Sequence, residues 1–371
     1  MGNDALLERT PLFDLHLQKH ARMVPFAGYE MPVQYPLGIM KEHLHTREKA
    51  GLFDVSHMGQ VHLLGAGADA ALEALTPADI VSLPGGKQRY ALLTNDQGGI
   101  LDDLMVIRSD THFVLVLNAD RKAADVAHLE AALGDRFAVD QRTDLALLAL
   151  QGPAAQAVLA RLSPAAVALK FMDAAAMPIA GVHCFVSRSG YTGEDGYEIS
   201  VAASDAVHVA EVLLAHEAVE LIGLGARDSL RLEAGLCLYG HDIDTTTTPV
   251  EARLVWSIGK SRRPGGERAG GYPGHEVIAR QLAVGPSRKR VGLRPAGRAP
   301  VREGAPIQDA AGRDVGRVTS GGFGPTVGAP VAMGYVESDV AAGSELKAMV
   351  RGKALEVAIA PLPFAVHRYC R

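Results

Sequence analysis

The pattern of apolar and polar positions predicts strands in the first part of the chain. Four apolar runs, rich in β-branched and aliphatic residues, predict strands at 61–65, 89–95, 101–109 and 112–118. Clusters of turn-forming residues separate the second run from the third and the third from the fourth, which is typical of an antiparallel meander. Apolar residues then recur at helical spacing, which predicts a helix over 119–133.

The rest of the chain divides into a mixed region and a strand-rich region. Strands are predicted at 146–151, 182–189 and 197–201, and helices at 152–162, directly after Ser204–Asp205 and at 225–234. Beyond residue 274, short strands separated by Gly and Pro turns predict a small barrel or jelly roll. The pattern therefore predicts an α+β body of roughly 260 residues followed by an all-β domain of roughly 95.

Composition and charge narrow the class of protein. The chain has 371 residues, of which 48% are apolar and 21% are charged, so it can form a packed core. Its net charge of −5 argues against a protein that binds nucleic acid by neutralising phosphates. No apolar run reaches about 18 residues, and no secretory signal is visible, so we expect no membrane span and a cytoplasmic location.

Cysteines and the standard motifs exclude further kinds of site. The three cysteines, Cys184, Cys237 and Cys370, lie far apart and form no CxxC pair, so neither a disulfide framework nor a zinc–thiolate site is expected. No phosphate loop, dinucleotide-binding glycine motif, HExxH or GxSxG is present. The Gly-rich, basic stretch 260–274 predicts a mobile loop. The run 288–290 is either a solvated basic segment or a rim for an acidic partner.

The first candidate cluster is a pair of neighbouring acids, Asp102 and Asp103, after the tight turn Gly98–Gly99. Successive side chains of a strand point to opposite faces, so only one of the two acids faces inward. An inward carboxylate among aliphatic residues has a raised pKa and is suited to holding or accepting a proton. The alternative is an acid pair that solvates the end of a hairpin.

The second and third clusters combine acids, aromatics and arginines. The segment 190–198, GYTGEDGYE, contains Tyr191 and Glu198, and an aromatic ring beside a carboxylate suits a planar heterocycle that carries amino groups. The segment 223–235 places Arg227 in the first turn of a helix, where a cation opposes the helix dipole. The alternatives are a solvated hairpin turn for the former and surface ion pairs for the latter.

The chain resembles the T proteins of the glycine cleavage system over nearly its whole length. The resemblance rests on eight segments that occur in the order of that family: FAGYEMPVQY (26–35), GLFDVSHMG (51–59), GGILDDL (98–104), LALQGP (148–153), GYTGEDGYE (190–198), GLGARDSLRLEAG (223–235), TTPVEA (247–252) and TSGGFGPTVG (319–328). It implies an α+β, three-domain folate-binding aminomethyltransferase fold with antiparallel sheets and a C-terminal β-barrel or jelly-roll domain.

The resemblance also implies domain limits, an activity and partners. The implied domains are a discontinuous α+β domain of 1–52 and 143–275, an inserted α+β domain of 53–142, and a C-terminal barrel of 276–371. The implied reaction moves a one-carbon unit from the aminomethyl-dihydrolipoyl H-protein to tetrahydrofolate, giving 5,10-methylenetetrahydrofolate and ammonia. Tetrahydrofolate is the expected co-substrate without a metal, and the lipoylated H-protein and other glycine cleavage components are the expected partners of a monomer.

Family motifs assign roles to particular residues. The critical carboxylate of the family matches Asp102, which is expected to hydrogen-bond the reacting nitrogens of the folate. Glu198 matches the residue that binds the pterin, and Arg227 matches the folate-binding arginine. The resemblance leaves four further pocket residues as expectations: Tyr90, Met58, Tyr191 and Trp256.

Two other functions remain open from the sequence. Relatives of this fold demethylate other small methylated donors onto folate, so a folate-dependent demethylase is the alternative enzyme. A folate-binding protein without enzymatic activity, as in iron–sulfur assembly relatives, is a second class. Those relatives carry a K-G-C-Y-x-G-Q-E stretch, which the segment LEAGLCLYGHD (232–242) does not match.

Overall fold

The computed structural model describes residues 6–371, and its strands form two sheets, a hairpin and a barrel. The strands are β1 (Arg22–Phe26), β2 (Tyr29–Gln34), β3 (Ala50–Asp54), β4 (Gly59–Leu64), β5 (Lys87–Thr94), β6 (Ile100–Arg108), β7 (Phe113–Leu117), β8 (Ala138–Gln141), β9 (Leu145–Gln151), β10 (Ala174–Ile179), β11 (Val182–Ser187), β12 (Gly196–Ala202), β13 (Val219–Leu221), β14 (Arg288–Pro295), β15 (Pro306–Gln308), β16 (Asp314–Gly324), β17 (Ala329–Glu337), β18 (Leu346–Val350) and β19 (Lys353–Ala360). The helices are α1 (Phe13–Gln18), α2 (Ile39–Glu48), α3 (Ala68–Glu73), α4 (Lys122–Leu133), α5 (Ala155–Leu162), α6 (Ala206–Leu214), α7 (Leu224–Glu233) and α8 (His275–Val284).

A six-stranded sheet combines strands that are distant in the chain. Its order is β10-β11-β12-β9-β3-β13, and its pairs are antiparallel except for β13 with β3. Residues of this sheet and of α5 and α6 form one buried apolar cluster. Because β3 and β9 are neighbours, the chain leaves this sheet after residue 54 and returns at residue 145.

Residues 59–141, between those two strands, form a five-stranded sheet of order β5-β6-β7-β4-β8. The antiparallel succession β5-β6-β7 is the predicted meander. Helix α4 packs on this sheet through Val126, Leu129 and Leu133, as its spacing predicts, although Ala123 is exposed. The turn before β6 packs so closely on Thr245 that position 99 requires glycine. A Cβ there would lie 1.9 Å from the carbonyl oxygen of Thr245.

The C-terminal strands close into a barrel of order β14-β17-β16-β15-β18-β19. The predicted small all-β unit is therefore confirmed, and the family fold is present. The domain limits implied by the resemblance stay a prediction, and their first five residues lie outside the described part of the chain. Helix α8, which the pattern did not predict, precedes the barrel.

Arginines in both basic segments are buried or form ion pairs. The stretch 260–274 is held in place, since Arg268 forms ion pairs with Glu73 and Asp79. Arg290, in the basic run 288–290, is buried and donates hydrogen bonds to the carbonyl oxygens of Ala252 and Gly235. Arg290 therefore does not belong to a solvated basic run, and the role of 288–290 as a rim for an acidic partner stays a prediction.

Residues 364–370, here called the C-terminal strap, run from the barrel back to the six-stranded sheet. The amide of Phe364 donates to the carbonyl of Glu233 at the end of α7, and the amide of Arg368 donates to the carbonyl of Gly193, both at 2.8 Å. The ring of Tyr369 stacks on Phe171 with centroids 4.1 Å apart. The strap therefore fixes the turn 190–195 from outside.

Candidate functional site

Strand β6 separates the two acids that the sequence singled out. In the register of β5 and β6, Leu92 lies opposite Asp103 and Leu93 lies opposite Asp102. Side chains on paired strands share a face with their partners, so Asp103 lies on the face that carries Tyr90, whereas Asp102 points to the other face. Asp103 keeps some exposed surface, and Asp102 has a relative exposure of 0%.

Asn118, just after β7, connects the two carboxylates. Its side-chain Nδ2 donates to Asp102 Oδ1 at 3.0 Å and to Asp103 Oδ1 at 2.9 Å. A second residue that the sequence analysis missed is Asp125 of α4, a buried acid whose proximity raises the pKa of Asp102. Asp125 occupies the apolar stripe of α4, four residues before Leu129, and an acid at that position is the signal that marks it.

Both acids of β6 have raised pKa values, for related reasons. Burial and then the neighbouring acid Asp125 raise the pKa of Asp102 to about 8. Burial and then the charge of Asp102 raise the pKa of Asp103 to about 7, although hydrogen bonds from Tyr90 and Asn118 hold it down. Adjacent carboxylates in such a place do not both ionise near neutral pH, so the pair holds a proton there.

A guanidinium without an anionic partner lies on helix α7. Among the described residues, the side chain of Arg227 has no hydrogen-bond or ion-pair partner, and it lies over the ring of Tyr191 at 4.9 Å from the centroid. Burial lowers the pKa of Arg227, opposed by the charges of Tyr191 and Glu198. A partly exposed, deeply placed cation of this kind can bind an anionic or carbonyl group of a ligand.

The segment 190–198 contains three acids, of which two form ion pairs within the protein. Glu194 pairs with Arg47 and Arg368, and Asp195 pairs with Arg188, so those two acids are neutralised within the protein. Glu198, on β12, keeps partial exposure and accepts a 2.6 Å hydrogen bond from Ser189 Oγ. Of the three acids in this segment, Glu198 is therefore the one available to a ligand.

Tyr191 lies within the range of the charges of both Asp103 and Arg227. Burial and then the charge of Asp103 raise the pKa of Tyr191, whereas the charges of Arg231 and Arg227 lower it. The Tyr191 hydroxyl donates to the carbonyl of Cys237. Asp103, Tyr191 and Arg227 therefore lie close enough to affect one another's charge, and the charge of Glu198 acts on Arg227.

The remaining expected pocket residues lie at the border of this region. Trp256 is 63% exposed and stacks on Tyr90, with ring centroids 5.1 Å apart and planes at 30°. Met58 packs with an apolar cluster that includes Ala226, next to Arg227 in α7. These positions fit an aromatic and apolar rim.

Asp102 is the expected residue that the structure places differently. The sequence analysis expects this carboxylate to touch the ligand, but it has no exposed surface and lies on the face of β6 opposite to Tyr90. The physical reason is the two-residue period of the strand, which gives the Tyr90 face to Asp103. The role of Asp102 stays a prediction.

The described residues contain no group of three or more His, Cys, Asp or Glu that would hold a metal ion. None of the helices in residues 6–371 is long and apolar enough to cross a bilayer.

Comparisons with known proteins agree over nearly the whole chain. Residues 12–262 match the GCVT N-terminal domain, and residues 288–365 match the glycine cleavage T-protein C-terminal barrel domain. The chain is 41% identical to a mitochondrial aminomethyltransferase of Dictyostelium discoideum and 43% identical to one of Pisum sativum. These matches cover 98% and 99% of this chain and 94% and 92% of the relatives. A crystal structure of the glycine cleavage aminomethyltransferase T from Bartonella henselae is 45% identical, with a TM-score of 0.91 and coverage of 98% and 100%.

Proposed function

This chain belongs to the glycine cleavage T-protein family, and on that premise we propose which of its residues bind folate and handle protons. As a member of the family it is a tetrahydrofolate-dependent aminomethyltransferase of the glycine cleavage system, and a demethylase of another donor is not favoured. The observation that carries the site assignment is Arg227, which within residues 6–371 has no ion-pair partner, lies over the ring of Tyr191 and is affected by the charge of Glu198.

The reaction requires two protons to move. The aminomethyl carbon forms bonds to N5 and N10 of tetrahydrofolate, while its bonds to the lipoyl sulfur and to the amine break. N5 and N10 each lose one proton, and the lipoyl sulfur and the leaving ammonia each gain one. A site that performs this transfer needs a group that accepts a proton and a group that supplies one, both titrating near neutral pH.

The carboxylates divide these tasks. Asp103 accepts a proton from a folate nitrogen, and its position on the face of Tyr90 and its raised pKa support that role. Asp102, the residue that the family motif indicates, holds a proton directly behind it. General acid–base assistance of this kind contributes about 10²–10⁴ in rate, and the remainder comes from holding the lipoyl arm and the folate together.

Other residues of the pocket, Glu198 and Arg227, recognise the folate. Glu198 accepts the paired N–H donors of a pterin, and Arg227 binds a carbonyl or carboxylate of the same ligand; the partial exposure of both side chains supports these roles. Tyr90, Tyr191, Met58 and Trp256 supply the aromatic and apolar contacts around the rings.

The partner and the compartment complete the proposal. A lipoylated H-protein is the donor of the aminomethyl group, and the chain acts as a monomer among the glycine cleavage components. We propose a cytoplasmic location, whereas the relatives from Dictyostelium discoideum and Pisum sativum carry mitochondrial names.

The direct test measures 5,10-methylenetetrahydrofolate and ammonia from aminomethyl-lipoyl H-protein and tetrahydrofolate. We expect equal yields of the two products. Asp102→Asn and Asp103→Asn should each bind folate in calorimetry and lose about 10²–10⁴ in turnover. Normal turnover in both variants would remove the acid pair from the mechanism, and folate binding without any response to aminomethyl-lipoyl H-protein would overturn the donor assignment.

A further inference from the structure

Glu198, to which the proposed function gives the pterin, is held by a neighbouring serine. Ser189 Oγ donates a hydrogen bond to Glu198 Oε2 at 2.6 Å, and Ser189 itself has a relative exposure of only 5%. In the part of the chain that the structure describes, no donor contacts the other carboxylate oxygen, Oε1, and the side chain keeps some exposed surface. One oxygen of this carboxylate is therefore fixed from inside the protein, while the other is free for a ligand.

A second buried serine gives this hydrogen bond its direction. Ser187 Oγ lies 3.0 Å from Ser189 Oγ, and Ser187 is 5% exposed. A hydroxyl has a single proton to donate and an ionised carboxylate can only accept, so Ser189 donates to Glu198 and accepts from Ser187. The hydrogen bonds from Ser187 through Ser189 to Glu198 therefore run in one direction, and each polarises the next.

The strands place these three side chains on one face of the six-stranded sheet. Ser187 of β11 lies opposite Glu198 of β12 in the antiparallel pair, and side chains of paired residues share a face. Ser189 follows Ser187 by two residues, which returns its side chain to the same face, as the 3.0 Å contact between the two hydroxyls confirms.

The backbone of Ser189 is fixed as well. Gln151 of β9, which has no exposed surface, donates from Nε2 to the carbonyl of Ser189 at 2.8 Å, and its Oε1 accepts from Thr192 Oγ1 at 2.9 Å. The next residue, Gly190, passes so close to this side chain that a Cβ there would lie 1.8 Å from Gln151 Oε1. Because the chain at Ser189 has little freedom, its hydroxyl is held in one place relative to β12.

We propose that Ser189 is a positioning residue for the transfer reaction: with Ser187 behind it, it fixes the plane of the Glu198 carboxylate that receives the N–H donors of the pterin. The inference rests on the proposed function, because it takes Glu198 as the residue that meets the pterin. A flexible glutamate side chain receives a pair of donors well only when its carboxylate is already oriented, so this hydrogen bond favours binding before the ligand arrives.

Ser189→Ala tests this assignment in the full chain. It removes the 2.6 Å hydrogen bond, so we expect the affinity for tetrahydrofolate to fall about five- to tenfold in calorimetry, with a raised KM and an unchanged kcat at saturation. Ser189→Thr keeps the hydroxyl and should restore the affinity to within about twofold of the wild type. Ser187→Ala should weaken binding about two- to threefold, because it leaves the direct contact with Glu198 in place.

The matched control is Ser200→Ala. Ser200 lies on the same strand as Glu198, is 9% exposed and donates to Gln60 Oε1 at 2.6 Å, so this variant also loses a short hydrogen bond of a buried hydroxyl. We expect it to lower the melting temperature and to bind tetrahydrofolate like the wild type. If Ser189→Ala and Ser200→Ala weaken folate binding equally, the role of Ser189 is merely structural and the proposal is wrong.

A double-mutant cycle with Glu198→Ala separates positioning from a general loss of structure. Without the carboxylate, Ser189 has nothing to orient, so adding Ser189→Ala should change folate affinity by less than about 1.5-fold. A second loss of about five- to tenfold in that background would overturn the proposal. Unchanged affinity in Ser189→Ala, beside weakened binding in Glu198→Ala, would remove the positioning role alone and leave the proposed function intact. Wild-type affinity in Glu198→Ala would remove both, because the pterin then binds elsewhere.

Discussion

The guanidinium of Arg227 lies 4.9 Å from the centre of the Tyr191 ring and, within the described residues, has no carboxylate in ion-pair distance. Its neighbour one turn later, Arg231, pairs with the buried Asp242 at 2.7 Å and with Asp228 at 2.8 Å. One helix therefore presents two arginines, of which only the second is neutralised by the protein.

Because of this difference, we expect substitution of Arg227 to affect folate binding and substitution of Arg231 to affect the stability of the protein. We expect Arg227→Ala to weaken folate binding by about 10–100-fold, which corresponds to the loss of a charged hydrogen bond, with little change in the free energy of unfolding. Arg231→Ala should instead destabilise the protein by about 3–5 kcal/mol, because it leaves Asp242 buried without its cation. Calorimetric titration with folate and chemical denaturation measure the two effects. Equal loss of stability in both variants would contradict the assignment of Arg227 to the ligand.

A similar comparison applies to the acids of the segment 190–198. Glu198→Gln should lower folate affinity by about tenfold at an unchanged melting temperature, because an amide accepts only one of the two expected N–H donors well. Glu194→Gln should lower the melting temperature, because Glu194 neutralises buried Arg47. Folate titration and thermal melts of both variants check the assignment, which fails if Glu198→Gln binds folate like the wild type.

The hydroxyl of Tyr90 adjusts the protonation of Asp103. Burial and then the charge of Asp102 raise the pKa of Asp103, the interaction with Tyr90 lowers it, and the resulting value is about 7. Tyr90→Phe should therefore move the acid limb of the kcat profile to higher pH, so that turnover below neutral pH falls while turnover on the alkaline side changes little. An acid limb that stays in place would show that Asp103 does not produce it. Trp256→Phe is a suitable control, because it keeps an aromatic ring over Tyr90.

Stability at low pH should depend on Glu233, at the end of α7. Burial raises its pKa, but hydrogen bonds from His43 and Thr326 and the amide of Val327 outweigh burial and lower it to about 2, from 4.5. Because the folded-state value is depressed, the stabilisation is complete above pH 4.5 and is lost as the pH falls towards 2. The wild type should exceed Glu233→Gln in free energy of unfolding by roughly 2–3 kcal/mol at pH 6, and the gap should close near pH 2. Urea titrations across this range measure the gap, and a constant gap would contradict the role.

The sequence predicted the strands of the site better than the direction in which their side chains point. The strands around Asp102 and Asp103 follow from their apolar runs, and alternation correctly separates the two acids. Which face opens on the pocket depends on the register with β5, which includes an irregularity between Leu93 and Thr94, and no local pattern encodes it. Asn118 escaped notice because its two contacts form only when the meander is assembled.

Helix α2 shows a second physical limit. Its buried residues are Glu42, His43, Thr46 and Arg47, so the side facing the protein is polar. Glu42, for example, accepts the backbone N–H groups of Tyr35 and Gly223, at 2.6 and 2.8 Å. A helix that is held by ion pairs and backbone contacts has no apolar stripe, and the periodicity that revealed α4 is absent from it.

The C-terminal strap, which contacts the turn 190–195, is the last part of the chain to be translated. The side chain of Arg368 donates a hydrogen bond to Glu194, 174 residues earlier in the sequence, and its backbone amide donates to the carbonyl of Gly193. On the ribosome, the segment that carries Tyr191 is translated long before the residues that clamp it. Both sheets are therefore translated in full before the strap, and the contacts of the strap with this turn are the last that synthesis makes available.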